Sequence, residues 1–282
     1  MLPVVLGPGM ALAQWQANVE AALVYDNNLS RAQLPSDIVD DYGAALRAGV
    51  ARTFDAGEHG DFNLAVDGRV VRYARYEGAS VASLGAAAGY RHKLGLGLAA
   101  PRLSANLSAA YEDSPEAVRD GYRYGALLSL GKRFDERLEG SLSAAWDKRV
   151  QQHVQAVVPG IPGDPFSLES RSLSARGSYL VASRTTLTAS VGGRWGDVVS
   201  STRRNPQIFA ESSAIAPDPA FGPDYIAYRL SGASTGFFSA GIAYDFHRNA
   251  SIEASVNLDS TSARGGLDYD VTTFALTLVW RP

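Results

Sequence analysis

Polar and apolar positions alternate along most of this chain. In "QWQANVEAALVYDN" (14–27), Trp15, Ala17, Val19, Ala21, Leu23 and Tyr25 share one side of an extended backbone. Gln16, Asn18, Glu20 and Asp26 take the other, with Ala22 and Val24 out of pattern. A strand of a soluble sandwich usually stops after about five or six residues, so this run is unusually long. The same pattern returns in 42–54, 62–76, 81–92, 102–112, 122–134, 138–150, 172–181, 187–199, 228–246, 251–259 and 269–280. Period-2 matching therefore predicts about twelve strands. From residue 14 onward no helical periodicity competes.

The connections add a second signal. "NLSRAQLPSD" (28–37), "QQHVQAVVPGIPGDPFSLE" (151–169) and "SSTRRNPQIFAESSAIAPDPAFGPDY" (200–225) are long and polar or Pro-rich. "DAGEHG" (55–60), "DER" (135–137), "ASRTT" (182–186) and "HRNA" (247–250) are short. "EGAS" (77–80) and the turn around Pro101 (94–101) run against this asymmetry. Aromatics give a third signal. Trp15, Phe54, Phe62, Phe134, Phe246 and Trp280 fall at the short-turn end, while Tyr25, Tyr42, Tyr111, Tyr122, Tyr124, Trp146, Trp195 and Tyr228 fall at the other. Between them the same faces carry Ala, Val, Leu and Ile.

Two aromatic girdles around an apolar band are what bilayer interfaces select, and long loops opposite short turns belong to transmembrane barrels. A soluble sheet would need a second layer over its apolar face, and no segments remain to form one. The expected fold is all-β, a transmembrane antiparallel up-and-down β-barrel whose apolar face meets the lipid bilayer. Closure is required, because an open edge in hydrocarbon leaves backbone groups unpaired. An even strand count puts both termini on one side, in the periplasm of an outer membrane.

Composition is consistent with this and removes other classes. The 282 residues carry a formal net charge of −3, against nucleic-acid binding, which calls for a strongly basic surface. There is no Cys, which suits an envelope protein. "MLPVVLGPGMALA" (1–13) is apolar and ends in the A-x-A pattern Ala11-Leu12-Ala13, so it reads as the tail of a secretory signal peptide, with the barrel occupying 14–282. No segment approaches the roughly 18 apolar residues of a membrane helix.

With these residues in view, residues 14–282 resemble a Gram-negative outer-membrane β-barrel protein of porin-like type. In the last strand Phe274, Leu276, Leu278 and Trp280 alternate, resembling the C-terminal signal read by the barrel-assembly machinery, although the chain ends in Arg281-Pro282 rather than on the aromatic residue. "VYDNNLSRA" (24–32) resembles Tyr-Asp-x-Asn segments in the barrel domains of surface lipoprotein assembly modifiers. The helical-repeat region of those proteins has no counterpart in these residues, so their activity does not transfer.

The residues point away from enzymatic chemistry. His59 and His247 lie in short turns, His92 near a strand end and His153 in a long loop. None is spaced to meet a Ser and an orienting Asn or Asp at equal depth, the set used by the outer-membrane phospholipase family. No catalytic residue, metal site or cofactor is therefore expected. "GLGLAA" (95–100) is a Gly-rich turn with no helix after it, so it is not a phosphate cradle.

The informative residues face inward. Arg47, Arg69, Arg176 and Arg194 fall near mid-height with Asp67 among them. Glu139, Asp245 and Glu253 lie nearer the periplasmic mouth, with Glu20 between. These charges either pair across a plugged lumen or line a water-filled pore. Twelve strands stand between filled barrels of about 8 and open porins of about 16 to 18, and inward Gly, Ser and Ala favour an open lumen. The expected function is passage of small polar or anionic solutes, or of an exported polymer. The alternatives are a secretion or assembly component working with periplasmic partners, and a structural or adhesive barrel presenting "PQIFAESSAIAPDPAFGPDY" (206–225) to an external ligand.

Overall fold

The computed structural model describes residues 15–282, so the signal-peptide reading of 1–13 lies outside the described residues. The strands are β1 (Trp15–Asp26), β2 (Asp41–Asp55), β3 (Gly60–Tyr73), β4 (Val81–Lys93), β5 (Arg102–Asp113), β6 (Gly121–Arg133), β7 (Leu138–Gln151), β8 (Leu168–Ala182), β9 (Thr185–Thr202), β10 (Ala214–Pro217), β11 (Ile226–His247), β12 (Ala250–Ala263) and β13 (Leu267–Trp280). All pairings are antiparallel. β1 pairs with β13, and β9 pairs with β11. Twelve strands thus close a barrel, and the four-residue β10 adds to β11 outside the circuit.

The alternation in the sequence sets the faces. Leu23, Leu84, Leu107, Leu142 and Val191 point outward and are each more than half exposed. Apolar surface of that extent is untenable in water and is the lipid-facing band of a transmembrane barrel. Trp15, Phe134, Phe246 and Trp280 ring one end of the band. At the other, Tyr25 and Tyr42 sit 4.7 Å apart and Tyr111 and Tyr122 5.3 Å apart between ring centroids.

Connections 56–59, 94–101, 134–137, 183–184 and 248–249 lie at one end, called here the turn end. Those at 27–40, 74–80, 114–120, 152–167, 203–225 and 264–266 lie at the other, the loop end. The last is the shortest loop at its end, because β12 and β13 run on past the alternation that marks them and turn through Gly265 and Gly266, both at positive φ.

Two strands outgrow the barrel. β9 has 18 residues and β11 has 22. Between Val198↔Leu230 and Gly196↔Ala233 the ladder advances two residues on β9 and three on β11, which is a β-bulge. Gly196 (φ 149°) and Gly232 (φ 74°) stand at this bend. One extra residue reverses the facing of everything beyond it. Tyr228, expected in the outer girdle, therefore turns inward and is 1% exposed.

Beyond the bend, β9, β11 and β10 form a small sheet that folds over the lumen. Tyr228, Leu230 and Ile215 pack with Leu267, Tyr269 and Val271 on the inner face of β13 and with Ile208 of a short helix α1 (Pro206–Glu211). Asn205 caps α1 by accepting hydrogen bonds from the Gln207 and Ile208 amides, and Pro206 opens it. No helical period announced this six-residue element. Two further clusters extend the cap: Val118, Phe166, Ala216 and Ala227, and Val39, Phe221 and Tyr225. The densest apolar packing of the molecule is thus at the loop end, outside the membrane-spanning band.

Candidate functional site

The inner wall is polar by the same alternation. Arg47 on β2 stands opposite Arg69 on β3 and opposite Glu20 on β1. Its Nε donates to Asp67 Oδ2 at 3.1 Å. Glu20 accepts from Asn18 Nδ2 at 3.2 Å. No hydrogen bond or ion pair reaches the Arg69 side chain among the described residues, and it is exposed.

Arg176 on β8 faces Ser141 and Ser190, and Arg194 on β9 faces Ser172 and Thr235. Arg194 Nη2 donates to Asp259 Oδ2 at 3.5 Å. In strand order β2 and β3 lie six steps from β8 and β9 around a circuit of twelve. The four arginines expected at mid-height therefore form two pairs on opposite walls, not one patch. Arg47, Asp67, Arg194 and Asp259 keep about a third or more of their side-chain surface exposed, which leaves the lumen between them accessible to water.

Glu139, Asp245 and Glu253 lie at the turn end. Glu139 is 3.9 Å from Arg133 Nη2. Glu253 pairs in register with Ala243 and Thr277. Asp245 lies within the irregular stretch between Tyr244 and His247 and is exposed.

Several lumen charges escaped the sequence reading. Arg91 holds Asp61 at 2.9 Å, Arg123 holds Asp147 at 2.8 Å and Arg149 holds Glu112 at 2.7 Å. All occupy positions alternating with the outward apolar set, so the signal was present in the strand period. Arg31 was invisible to that period because it sits in loop 27–40. That loop folds inward around Asn28, which is 2% exposed. Asn28 Nδ2 donates to Ala32 O (2.8 Å) and Asp270 O (3.2 Å), while its Oδ1 accepts from the Ala32 amide (2.9 Å). Arg31, in the left-handed region at φ 58°, makes a bidentate bond to Asp26 at 2.8 Å for each contact. The segment 24–32 that stood out in the sequence is thus a hydrogen-bonded knot at the mouth.

Above these charges the cap narrows the loop end. Arg119 forks onto Asp218 at 2.9 and 2.6 Å, and Asp218 also accepts from Ser201 Oγ. Loop 27–40 joins β9 through Ser201 N to Ser30 O at 2.8 Å, and Arg203 reaches Asp37 at 3.5 Å. Arg75 from loop 74–80 holds Asp40 at 2.8 Å.

The histidines do not converge on one site, although two of them meet. His59 and His92 have ring centroids 6.4 Å apart at the turn end, His153 Nδ1 is 3.6 Å from Asp120 and His247 Nδ1 accepts from the Asn249 amide. No group of three or more His, Cys, Asp or Glu arranged for a metal occurs among the described residues.

No family profile matches the chain, and no curated protein matches it in sequence. Solved structures do. An outer-membrane channel from Pseudomonas putida F1 superposes with a TM-score of 0.56 at 12% identity, covering 99% of this chain and 100% of that one. The fold is that of an outer-membrane β-barrel. A KdgM porin in complex with disordered oligogalacturonate gives 0.49 at 9% identity, over 93% of this chain and 98% of that one. The outer-membrane channel DcaP of Acinetobacter baumannii gives 0.48 at 9%, over 96% and 97%. At these identities the likeness is one of fold, so what passes through this barrel must be argued from its own residues.

Proposed function

We propose that the protein is a non-enzymatic outer-membrane channel for small polar and anionic solutes, with both termini in the periplasm and the cap facing outward. The observation that carries this reading is the lumen itself. Ionised side chains from opposite walls remain partly exposed along its length, as expected of a water-filled passage and not of a packed interior. Most of the large apolar side chains of 206–225 (Ile208, Ile215, Phe221 and Tyr225) are buried within the cap, Phe209 being 40% exposed, so the adhesive reading is left little apolar surface of its own. Phe274, Leu276, Leu278 and Trp280 alternate on the outer face of the closing strand, and this alternation, followed by Arg281-Pro282, is what would engage the barrel-assembly machinery.

Selectivity follows from the charges that are not offset. Arg47 is partly neutralised by Asp67 and Arg194 by Asp259, Arg69 is not paired, and the turn-end carboxylates Glu139, Asp245 and Glu253 oppose the arginines, so the preference for anions is modest and fades as salt screens it. The test is the reversal potential across a planar bilayer under a KCl gradient. Wild type should favour anions, Arg69→Ala should reduce the preference more than Arg47→Ala, and the pair Arg47→Ala with Arg194→Ala should lower it further. Cation preference in wild type would refute the reading. So would the absence of any conductance, which would leave a plugged structural barrel.

A further inference from the structure

The outer wall carries a feature that a passive lipid-facing surface does not need. On β5 to β9 two neighbouring rungs of outward side chains run side by side. One reads Leu107, Ala126, Trp146, Arg171, Trp195, and the other Ala105, Leu128, Ala144, Leu173, Gly193. Ala105, Ala126 and Ala144 make a low floor, and Trp146 and Trp195 line it in register on either side of Arg171, the Trp195 ring lying over Gly193. The result is a groove of about 580 Å3, inside the roughly 300–1,000 Å3 of small-molecule sites.

Its charge is equally particular. Arg171 is exposed on the lipid-facing side, in register with both tryptophans of the loop-end girdle. The carboxylate on the same face, Glu169, makes its direct contacts elsewhere, accepting from Trp146 Nε1 at 3.0 Å and lying 3.6 Å from Lys148 Nζ, and acts on Arg171 only as a neighbouring charge. No hydrogen bond or ion pair reaches Arg171 among the described residues. A guanidinium at the edge of hydrocarbon, beside an ammonium and above an apolar trough, complements a phosphate joined to an acyl chain.

We propose that this groove binds one phosphate-headed acyl lipid of the loop-side leaflet, with the phosphate on Arg171, Lys148 beside it and one chain along the alanine floor. The proposal rests on the membrane-barrel reading but not on the channel being open. Neither half of the site suffices alone: the trough selects a chain, and the guanidinium selects its anionic head.

The experiment is native mass spectrometry of the folded protein released from detergent, titrated with diphosphoryl lipid A, with diacylglycerol as an uncharged chain and with inorganic phosphate as a chainless head. Wild type should retain one lipid A and neither control. Arg171→Gln and Ala144→Phe should each weaken retention about tenfold, the scale of one hydrogen bond to a charged group. Arg171→Lys should fall between, and Arg72→Gln, an outward arginine on β3, should change nothing. Retention of lipid A unchanged by either Arg171→Gln or a folded Ala144→Phe would overturn the site, as would equal retention of diacylglycerol. Each sample is also run boiled and unboiled on a gel. In wild type, failure to retain lipid A with the heat-dependent shift intact refutes only the site, and absence of that shift refutes the barrel beneath it; in the variants, weakened retention with the shift intact supports the site. Should Ala144→Phe fail to show the shift, Arg171→Gln and Arg171→Lys decide.

Discussion

Arg119 and Asp218 form a two-pronged ion pair at the mouth, with Asp218 fully buried and the Arg119 guanidinium lying between the rings of Phe166 and Phe221 at 4.8 and 5.0 Å. The pair joins loop 114–120 to the cap. Removing the arginine leaves a carboxylate that cannot reach water, and breaking a buried pair in this way costs about 3 to 5 kcal/mol. Arg119→Ala should therefore loosen the cap and raise single-channel conductance, while Arg119→Met with Asp218→Leu should recover much of the wild-type behaviour. Identical conductance traces for wild type and Arg119→Ala would show that the cap does not control passage.

Gly196 is the second point at which the cap is vulnerable. A Cβ there would lie 2.1 Å from the Glu169 carbonyl oxygen, and φ is 149°. Gly196→Ala should force the bend open at a cost of about 1 to 3 kcal/mol. Trypsin offers the readout, since Arg203 and Arg204 follow the bend directly: cleavage there should speed up in the variant while the barrel core resists.

That same bend explains what the sequence conceals. The strands were legible because lipid outside and water inside impose a strict two-residue period, and inward positions such as Arg47 and Asp67 follow from it. Tyr228 and Leu230 continue the outward parity of Phe238 and Ile242, so the period assigns them to lipid. One extra residue between Leu230 and Ala233 sends them inward instead. Nothing local in "YRLSGAS" (228–234) distinguishes a bulge from a regular strand containing a glycine. The pairing of Arg194 with Asp259 was hidden for another reason. It joins side chains of β9 and β12, two strands apart, and depends on how far each reaches into the lumen.

The assignment of faces is open to direct challenge. Leu128 and Leu142 point into the bilayer, whereas Ser129 and Ser143 share a 2.7 Å hydrogen bond inside the lumen. Leu128→Arg or Leu142→Arg should cost about 2 to 4 kcal/mol of folding free energy, and Ser129→Arg or Ser143→Arg much less. Urea titration in lipid vesicles measures both, and equal penalties would mean that the faces are reversed.

Acid should release one latch at the mouth. The hydrogen bond from Arg75 holds the Asp40 carboxyl below its ordinary range. A depressed carboxylate stabilises the fold above its unfolded value, about 3.9, and that contribution disappears as pH falls through the folded one. The latch between loops 27–40 and 74–80 should thus hold at neutral pH and open only in strong acid. Carbon-detected NMR of the Asp40 carboxyl should show a midpoint below the usual one, restored by Arg75→Gln. Coincident midpoints in the two proteins would remove the latch.

The apolar core at the mouth has a thermodynamic corollary. Around the barrel, apolar side chains meet lipid tails as apolar as themselves, so the band gains nothing from expelling water after insertion and is held by its closed ladder of backbone hydrogen bonds. Tyr228, Leu230, Ile215 and Phe221 lie instead in a region bounded by water, where burial carries the large heat-capacity signature of ordinary globular folding. One chain thus obeys two solvents. Urea and cold act on the cap first, through the hydrophobic effect, so the entrance should melt as a small soluble domain would, at urea concentrations below those that unfold the wall.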